Sequence, residues 1–197
     1  VERIQLAIRN KEKICVWGDF DVDGQTSTAL LVQTLQMLGA NVIYYIPIRG
    51  KESHGVHIES LKPIIDNGAK LIVTCDTGIT ANEAIDYANS RGVDVVITDH
   101  HDLGETLPTA KAIINPKLLP DDHPLKNLAG VGVAYKLAEA LLRSDDFSHP
   151  TSATEVATTL LDLVALGLIA DVALLKGETR SLAQKGIQAL RNTKRLG

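Results

Sequence analysis

The sequence predicts an α/β protein: a doubly wound, mainly parallel five-stranded sheet flanked by helices and followed by a helical C-terminal part. Two observations carry this prediction. Short apolar runs rich in Val and Ile, typical of parallel strands that are buried on both faces, alternate with stretches of helical periodicity. Glycines at positions 39, 68 and 92 each follow a helical stretch and precede a strand, which is where a helix-ending left-handed residue is expected. This alternation is typical of doubly wound sheets.

The elements follow from these patterns in chain order. The predicted strands cover residues 14–17, 42–46, 71–75, 93–98 and 112–114. The predicted helices cover residues 1–11, 25–38, 58–67, 81–90, 133–142, 153–166 and 182–191. We therefore expect one domain over residues 1–197, with a sheet core in residues 1–116 and a helical elaboration in residues 117–197.

Composition excludes several classes of protein. The chain has 197 residues, of which 45% are hydrophobic and 22% charged, so it is not disordered as a whole. A net charge of −4 argues against nucleic-acid binding by bulk charge alone, and 4% aromatics argue against a base-stacking platform. No apolar run approaches the roughly 20 residues of a membrane span. Because the chain starts without Met, it reads as a piece of a longer protein.

Cysteine usage indicates the compartment. Cys15 and Cys75 are the only two cysteines, which rules out a disulfide scaffold and favours a reducing environment. We therefore expect a cytoplasmic protein.

Acidic residues follow the first predicted strand, at the sheet edge where ligands of doubly wound folds bind. Asp19, Asp21 and Asp23 have a spacing that places them on one side of an extended segment. Three crowded carboxylates repel one another unless a cation neutralises them. The alternative interpretation is a solvated acidic turn, with Asp23 as the cap of a helix that starts near Gln25.

Three further positions match this pattern. Asp76 follows the third strand, Asp99-His100-His101 follow the fourth, and Asp171 interrupts an apolar stretch. Each one alone could be a helix cap or a structural residue. Together they predict an oxygen-rich site with one His ligand, which suits Mn²⁺ or Mg²⁺ better than zinc. Two such cations promote phosphoester hydrolysis.

The successive motifs resemble those of the DHH phosphoesterase superfamily. They are Asp19-Phe20-Asp21-Val22-Asp23-Gly24, Asp76 before Thr77-Gly78-Ile79, Asp99-His100-His101, and Ile169-Ala170-Asp171-Val172. Small-substrate members usually carry a His ahead of the first Asp pair, whereas this chain has Trp17 and Asp19. That difference, and the segment 128–134, resemble the members that degrade single-stranded DNA from the 5′ end.

The resemblance implies a role for each matching residue. The metal ligands would be Asp21, Asp23, Asp76 as the bridge between two ions, His100 and Asp171, with Asp19 as a further ligand or a base beside them. Asp99 would orient the His pair, and His101 would contact the phosphate. The catalytic residues would thus be Asp76, Asp99, His100 and His101. The implied reaction releases mononucleotides from the 5′ end of single-stranded DNA in repair and recombination.

The resemblance also implies partners. Family nucleases carry a further C-terminal substrate-binding domain, which is absent from this chain. The expected partners are therefore single-stranded nucleic acid, that missing domain, and replication or repair proteins, with no membrane.

The loop after the second strand is the expected substrate-binding element. Arg49 has the planar fork that suits a phosphate clamp, and Ser53, His54 and His101 complete the candidate set. His54 stands where Tyr is common in the family. A solvated loop is the alternative interpretation.

Three other functions remain open at this point. Residues 20–24 resemble the nucleophile motif of haloacid-dehalogenase-type phosphatases, although Gln25 intrudes before Thr26 and that chemistry has no place for Asp-His-His. The family chemistry could act on small nucleotides or short oligoribonucleotides instead. The chain could also be a catalytically inactive scaffold of a replication complex, although such relatives lose metal-site acids that this chain keeps.

Overall fold

The computed structural model of the chain describes residues 1–144 and 152–195, and within them it forms one parallel sheet. Its strands are β1 (Lys13–Trp17), β2 (Asn41–Tyr45), β3 (Ala69–Cys75), β4 (Asp94–Thr98) and β5 (Ala112–Ile114). Their order is β2-β1-β3-β4-β5, and every neighbouring pair is parallel. The predicted fold class is confirmed, and each predicted strand is present with its ends shifted by at most two residues.

The helices alternate with the strands and continue after them. They are α1 (Glu2–Arg9), α2 (Val22–Met37), α3 (Ile58–Asp66), α4 (Asn82–Ser90), α5 (Gly130–Leu142), α6 (Ala153–Thr158), α7 (Leu161–Ala170) and α8 (Gly177–Leu190). Gly39, Gly68 and Gly92 all have positive φ at the ends of α2, α3 and α4, as the sequence predicts.

The sheet is buried on both faces, because alternate residues of each strand point in opposite directions. Ile14 and Val16 of β1 join the larger core, which α1, α2 and the C-terminal helices cover. Cys15 and Trp17 of the same strand join the smaller core under α3 and α4. The helices after β5 therefore share a core with the sheet.

Several helix boundaries differ from the prediction, and α2 and α5 each begin three residues earlier than predicted. The larger differences lie in the C-terminal part. The predicted helix 153–166 is two helices, because Thr158 and Thr159 turn their hydroxyls back onto the carbonyls of Thr154 and Val156 and end α6. Helix α8 begins five residues earlier than predicted, since residues 177–181 lack the apolar spacing that reveals a helix.

One stretch is apolar enough to resemble a membrane span. Residues Ala153–Ala170 reach a mean hydropathy of 1.6 over 18 residues. However, 56% of that stretch is buried inside the fold, where α6 and α7 contribute to the larger core. The apolar character of this stretch is therefore explained by its place in the hydrophobic core and does not indicate a membrane span.

The strand order places a topological switch point between β1 and β3. Chain connections run outward in opposite directions from these two strands, which leaves a crevice at their carboxyl ends. Asp19 to Asp23 follow β1 and Asp76 follows β3, so both motifs lie at this crevice.

Candidate metal centre

Asp23 lies in the first turn of α2 and not in an extended segment. Helix α2 begins at Val22, and the cap is Asp21, whose Oδ1 accepts a hydrogen bond from the Gly24 amide at 2.9 Å. The predicted extended Asp triplet and the alternative of an Asp23 cap are therefore both wrong. The helical turn separates the three side chains, so they take different roles.

Asp23 joins two helices at the crevice. Its carboxylate is 2% exposed and accepts hydrogen bonds from two amides at the N-terminus of α5, Gly130 at 2.6 Å and Val131 at 2.8 Å. A helix N-terminus favours an anion, and these two donors fix the carboxylate in place. Asp23 is thus positioned before any ligand arrives.

Asp76 has an unusual backbone conformation directly after β3. Its φ is +59°, which few residues other than Gly, Asn and Asp adopt. The space beside it exists because residue 130 is Gly: a Cβ there would lie 2.6 Å from Asp76 Cβ and Oδ1. The side chain is 1% exposed.

Asp99 organises the His pair after β4. Its Oδ1 accepts hydrogen bonds from His101 Nδ1 at 2.8 Å and from the His100 and His101 amides, and its Oδ2 accepts from the Ile79 amide at 2.9 Å. This agrees with the predicted orienting role. The alternative interpretation, in which Asp76 or Thr80 caps α4, is wrong. The N-cap of α4 is Ala81, and no side chain forms a capping hydrogen bond there.

Four of the predicted ligands converge. His100 Nε2 lies 3.0 Å from Asp76 Oδ1, 3.7 Å from Asp23 Oδ2 and 4.0 Å from Asp171 Oδ1. Asp171 reaches this point from the C-terminal end of α7. Two groups in the described residues have atoms close enough together to hold a cation, and they share His100: Asp76, His100 and His101, and Asp23, His100 and Asp171.

Two atoms at the middle of this cluster have no hydrogen-bond partner. Asp76 Oδ1 and His100 Nε2 are fully buried, lie 3.0 Å apart, and do not bond to each other or to any other described group. Leaving a buried polar atom unpaired costs about 1–3 kcal/mol. Their placement fits ligand atoms that are satisfied by a cation, and the donor set of carboxylates and one imidazole suits Mn²⁺ or Mg²⁺.

The electrostatics of the cluster also fit a cation. Burial, and then the neighbouring Asp76 carboxylate, raise the pKa of Asp23 to about 7. Burial, and then the Asp21 carboxylate, raise the pKa of Asp76 to about 9. The protein therefore holds several carboxyl groups where water cannot stabilise their charge, and a divalent cation would stabilise it.

His101 is the exposed partner of this cluster. Its side chain is 56% exposed, and its hydrogen bond to Asp99 raises the pKa of the ring to about 9. Burial would raise the pKa of Asp99, but hydrogen bonds from His101 and the Ile79 amide hold it below its ordinary value. The pair therefore presents an imidazolium to the crevice at neutral pH.

Asp19 and Asp21 lie outside both cation-holding groups of the described residues. Asp21 lines the same cavity as Asp23 and Asp171, and its charge acts on Asp76. Buried Asp19 instead pairs with His54, its Oδ2 lying 2.7 Å from Nδ1. Gly24 allows this arrangement, because a Cβ there would lie 2.5 Å from Asp19 Cβ.

The loop after β2 lies over the site through Phe20. The rings of Phe20 and His54 are 4.1 Å apart, and the Arg49 guanidinium stacks over Phe20 with its Cζ 4.5 Å from the ring centroid. Arg49 lines a cavity of about 480 Å³ together with Asp21, Asp23 and Asp171. Ser53 is exposed, and its hydroxyl lies 3.1 Å from His57 Nε2.

The sequence analysis missed three residues of the site. Phe20 carries the Arg49 loop, and Gly24 and Gly130 make room for Asp19 and Asp76. The glycines had a signal, since Gly24 ends the first acidic motif and Gly130 lies in the segment 128–134. The packing of Phe20 had none, because it depends on a loop that is distant in sequence.

The crevice and its acids define a family. A model of the DHH family, N-terminal domain, matches residues 13–168, and the chain belongs to that family.

The relatives are more specific. The chain is 46% identical to the single-stranded-DNA-specific exonuclease RecJ of Bacillus subtilis (strain 168), covering 100% of this chain and 24% of the relative. It is 44% identical to the RecJ of Escherichia coli (strain K12), covering 97% of this chain and 34% of that protein. A crystal structure of exonuclease RecJ bound to manganese superposes with a TM-score of 0.83 at 37% identity, covering 95% of this chain and 46% of that one. The chain thus spans a quarter to a third of the length of these curated relatives.

Proposed function

We propose that this chain is the metal-dependent catalytic domain, over residues 1–197, of an exonuclease that removes mononucleotides from the 5′ end of single-stranded DNA. Two Mn²⁺ or Mg²⁺ ions are its cofactors. The observation that carries the proposal is the pair of unsatisfied atoms, Asp76 Oδ1 and His100 Nε2, among the carboxylates of Asp23 and Asp171. Support comes from the manganese-bound RecJ structure and from the similarity to curated RecJ proteins.

The chain's own residues suggest how the reaction is divided among them. Asp23, Asp76, His100 and Asp171 hold the ions, with Asp21 at the edge of the same cavity. When bound, the ions activate water and neutralise the phosphate in an in-line displacement. Asp99 orients His101, whose imidazolium stabilises negative charge on the phosphate as the bond breaks.

Arg49 binds the phosphate from the other wall of the cavity. Its guanidinium lies over the Phe20 ring and lines the cavity, where its N–H donors can reach a phosphate. Asp19 positions this loop through His54. His54 therefore takes a place in the site although Tyr is common there in the family, and Ser53 is the exposed member of the same loop.

The cellular setting follows from the same relatives. We propose a role in DNA repair and recombination, in the cytoplasm, with a further substrate-binding domain and replication or repair proteins as partners. Cys15 and Cys75 are free and buried, which agrees with a reducing compartment.

The test follows the size of a 5′-labelled single-stranded oligonucleotide during incubation with Mn²⁺. Release of labelled mononucleotide from the earliest times, absent in Asp76→Asn, is the expected result. If the oligonucleotide stays intact while a dinucleotide is hydrolysed, the chain is a small-substrate phosphoesterase. If neither is hydrolysed and Mn²⁺ does not bind, the scaffold alternative is correct.

A further inference from the structure

A second cavity opens on the metal centre. It has a volume of about 240 Å³ and shares His100 and Asp171 with the centre. Asp171 also lines the larger cavity that contains Arg49, so the two cavities adjoin the same candidate metal ligand. The second cavity is also lined by Lys117 and Lys126, by Asn127 and Leu128, and by the segment 172–174, and most of its open surface is polar.

The two lysines have different roles. Lys126 Nζ donates to the carbonyls of Leu119 at 2.7 Å and Lys117 at 3.3 Å, and it pairs with Asp121. It therefore fixes the loop that carries Lys117. The Lys117 ammonium pairs only with Asp102 among the described contacts, at 3.2 Å, and that carboxylate is almost fully exposed. An exposed ion pair contributes about 0–1 kcal/mol, so a phosphate can replace Asp102.

Val172, which also lines the second cavity, supplies an independent observation. It follows α7 in a Schellman motif, in which the Val172 amide donates to the Ile169 carbonyl and the Ala173 amide to the Leu168 carbonyl. The left-handed residue of this motif is usually Gly, but here a β-branched residue has φ +56°. Its side chain is 86% exposed, so packing does not compensate for the strain.

Strained residues of this kind concentrate at binding sites, and Val172 directly follows Asp171. A phosphodiester held at the metal ligands has a nucleotide on each side. Each cavity that adjoins Asp171 has a cationic side chain that can bind a phosphate: Arg49 in the larger cavity and Lys117 in the smaller. The volume of the smaller cavity, about 240 Å³, suits one nucleotide unit, since it is slightly below the roughly 300–1,000 Å³ of small-ligand pockets.

We propose that the cavity between Lys117 and Val172 is a nucleotide subsite. In it, Lys117 binds the backbone phosphate next to the one that is cleaved, and Val172 contacts the sugar and base. This assignment rests on the proposed function, because it assumes that a nucleic-acid strand crosses the metal centre.

The first test compares Lys117→Met with Lys62→Met in this chain with Mn²⁺. Lys62 is also a half-exposed lysine paired with an Asp, but it lines neither cavity. We expect Lys117→Met to raise KM for a single-stranded oligonucleotide about tenfold with little change in kcat. The slope of log KM against log salt should fall by about 0.7, which a merely structural residue would not change. Asp102→Asn, which removes the competing carboxylate, should lower KM.

The second test uses Val172→Gly. Because Gly adopts the left-handed conformation without strain, the variant should unfold at a higher temperature than the parent and yet have a higher KM. If the parent chain hydrolyses the oligonucleotide, and both Lys117→Met and Val172→Gly keep its KM and salt slope, the subsite is wrong and the proposed function stands. A chain without hydrolysis would overturn both.

Discussion

Replacing Asp76 by Asn should stabilise the metal-free protein and abolish its response to Mn²⁺. Asn keeps the shape of the side chain, tolerates the φ of +59° and cannot ionise. The folded-state pKa of Asp76, about 9, is above its ordinary 3.8, so the stability it contributes is complete below about pH 4 and is lost as pH rises towards 9. At about 1.4 kcal/mol for each pKa unit, the raised pKa of Asp76 lowers the free energy of unfolding at pH 7 by at most roughly 4 kcal/mol.

The assay is thermal unfolding in EDTA and then in Mn²⁺. For a chain of this length we expect Asp76→Asn to unfold up to about 10 °C above the parent at pH 7–8 without metal, with the difference shrinking towards pH 4. Mn²⁺ should raise the unfolding temperature of the parent only. Asp86→Asn, on the exposed face of α4, is the matched control and should change stability by less than about 0.5 kcal/mol. A metal-free Asp76→Asn protein that is no more stable than the parent, or that Mn²⁺ stabilises equally, would refute the reasoning.

Three further predictions concern the surroundings of the centre. Gly130→Ala should displace Asp76, weaken Mn²⁺ binding at least tenfold in calorimetric titration and lower stability by about 1–3 kcal/mol, while Gly104→Ala, whose new Cβ meets nothing closer than 3.4 Å, should do neither. His54→Ala should raise KM for the oligonucleotide and leave Mn²⁺ binding unchanged, because it releases the Arg49 loop and no candidate ligand; a loss of Mn²⁺ binding would contradict this. Asp162→Ala should lower the free energy of unfolding, measured in urea, by about 1–3 kcal/mol, because this buried carboxylate accepts hydrogen bonds from Thr193 and Arg195; an unchanged free energy of unfolding would show that residues 193–195 are not held there.

The sheet and its order of elements could be predicted from the sequence, because strands that are buried on both faces leave a strong local signal. Every predicted strand is present, and Asp76 and His100 meet although they follow two different strands. Asp171 joins them from the end of α7, which a rule about strand ends does not cover. The strand-end rule for doubly wound sheets brings residues together that are far apart in sequence. That rule needs only the strand positions.

The local geometry of the first motif could not be predicted in the same way. The spacing of its three acids fits an extended segment, but the backbone turns into α2 at Val22 because Asp21 caps the helix. As a result Asp19, Asp21 and Asp23 point to different partners. The partner of Asp19 is His54, 35 residues away, and no periodicity in the sequence reports a contact of that kind.

The two amides that hold Asp23 are built-in spectroscopic probes of the centre. The Gly130 and Val131 N–H groups bond directly to the Asp23 carboxylate, so their proton and nitrogen resonances should respond when that carboxylate gains a proton or a cation. Both belong to the first turn of α5 and are shielded from water, so their deuterium exchange should slow further on metal loading. A single labelled glycine at position 130 would then report metal occupancy without substrate, turnover or a change in the protein's composition.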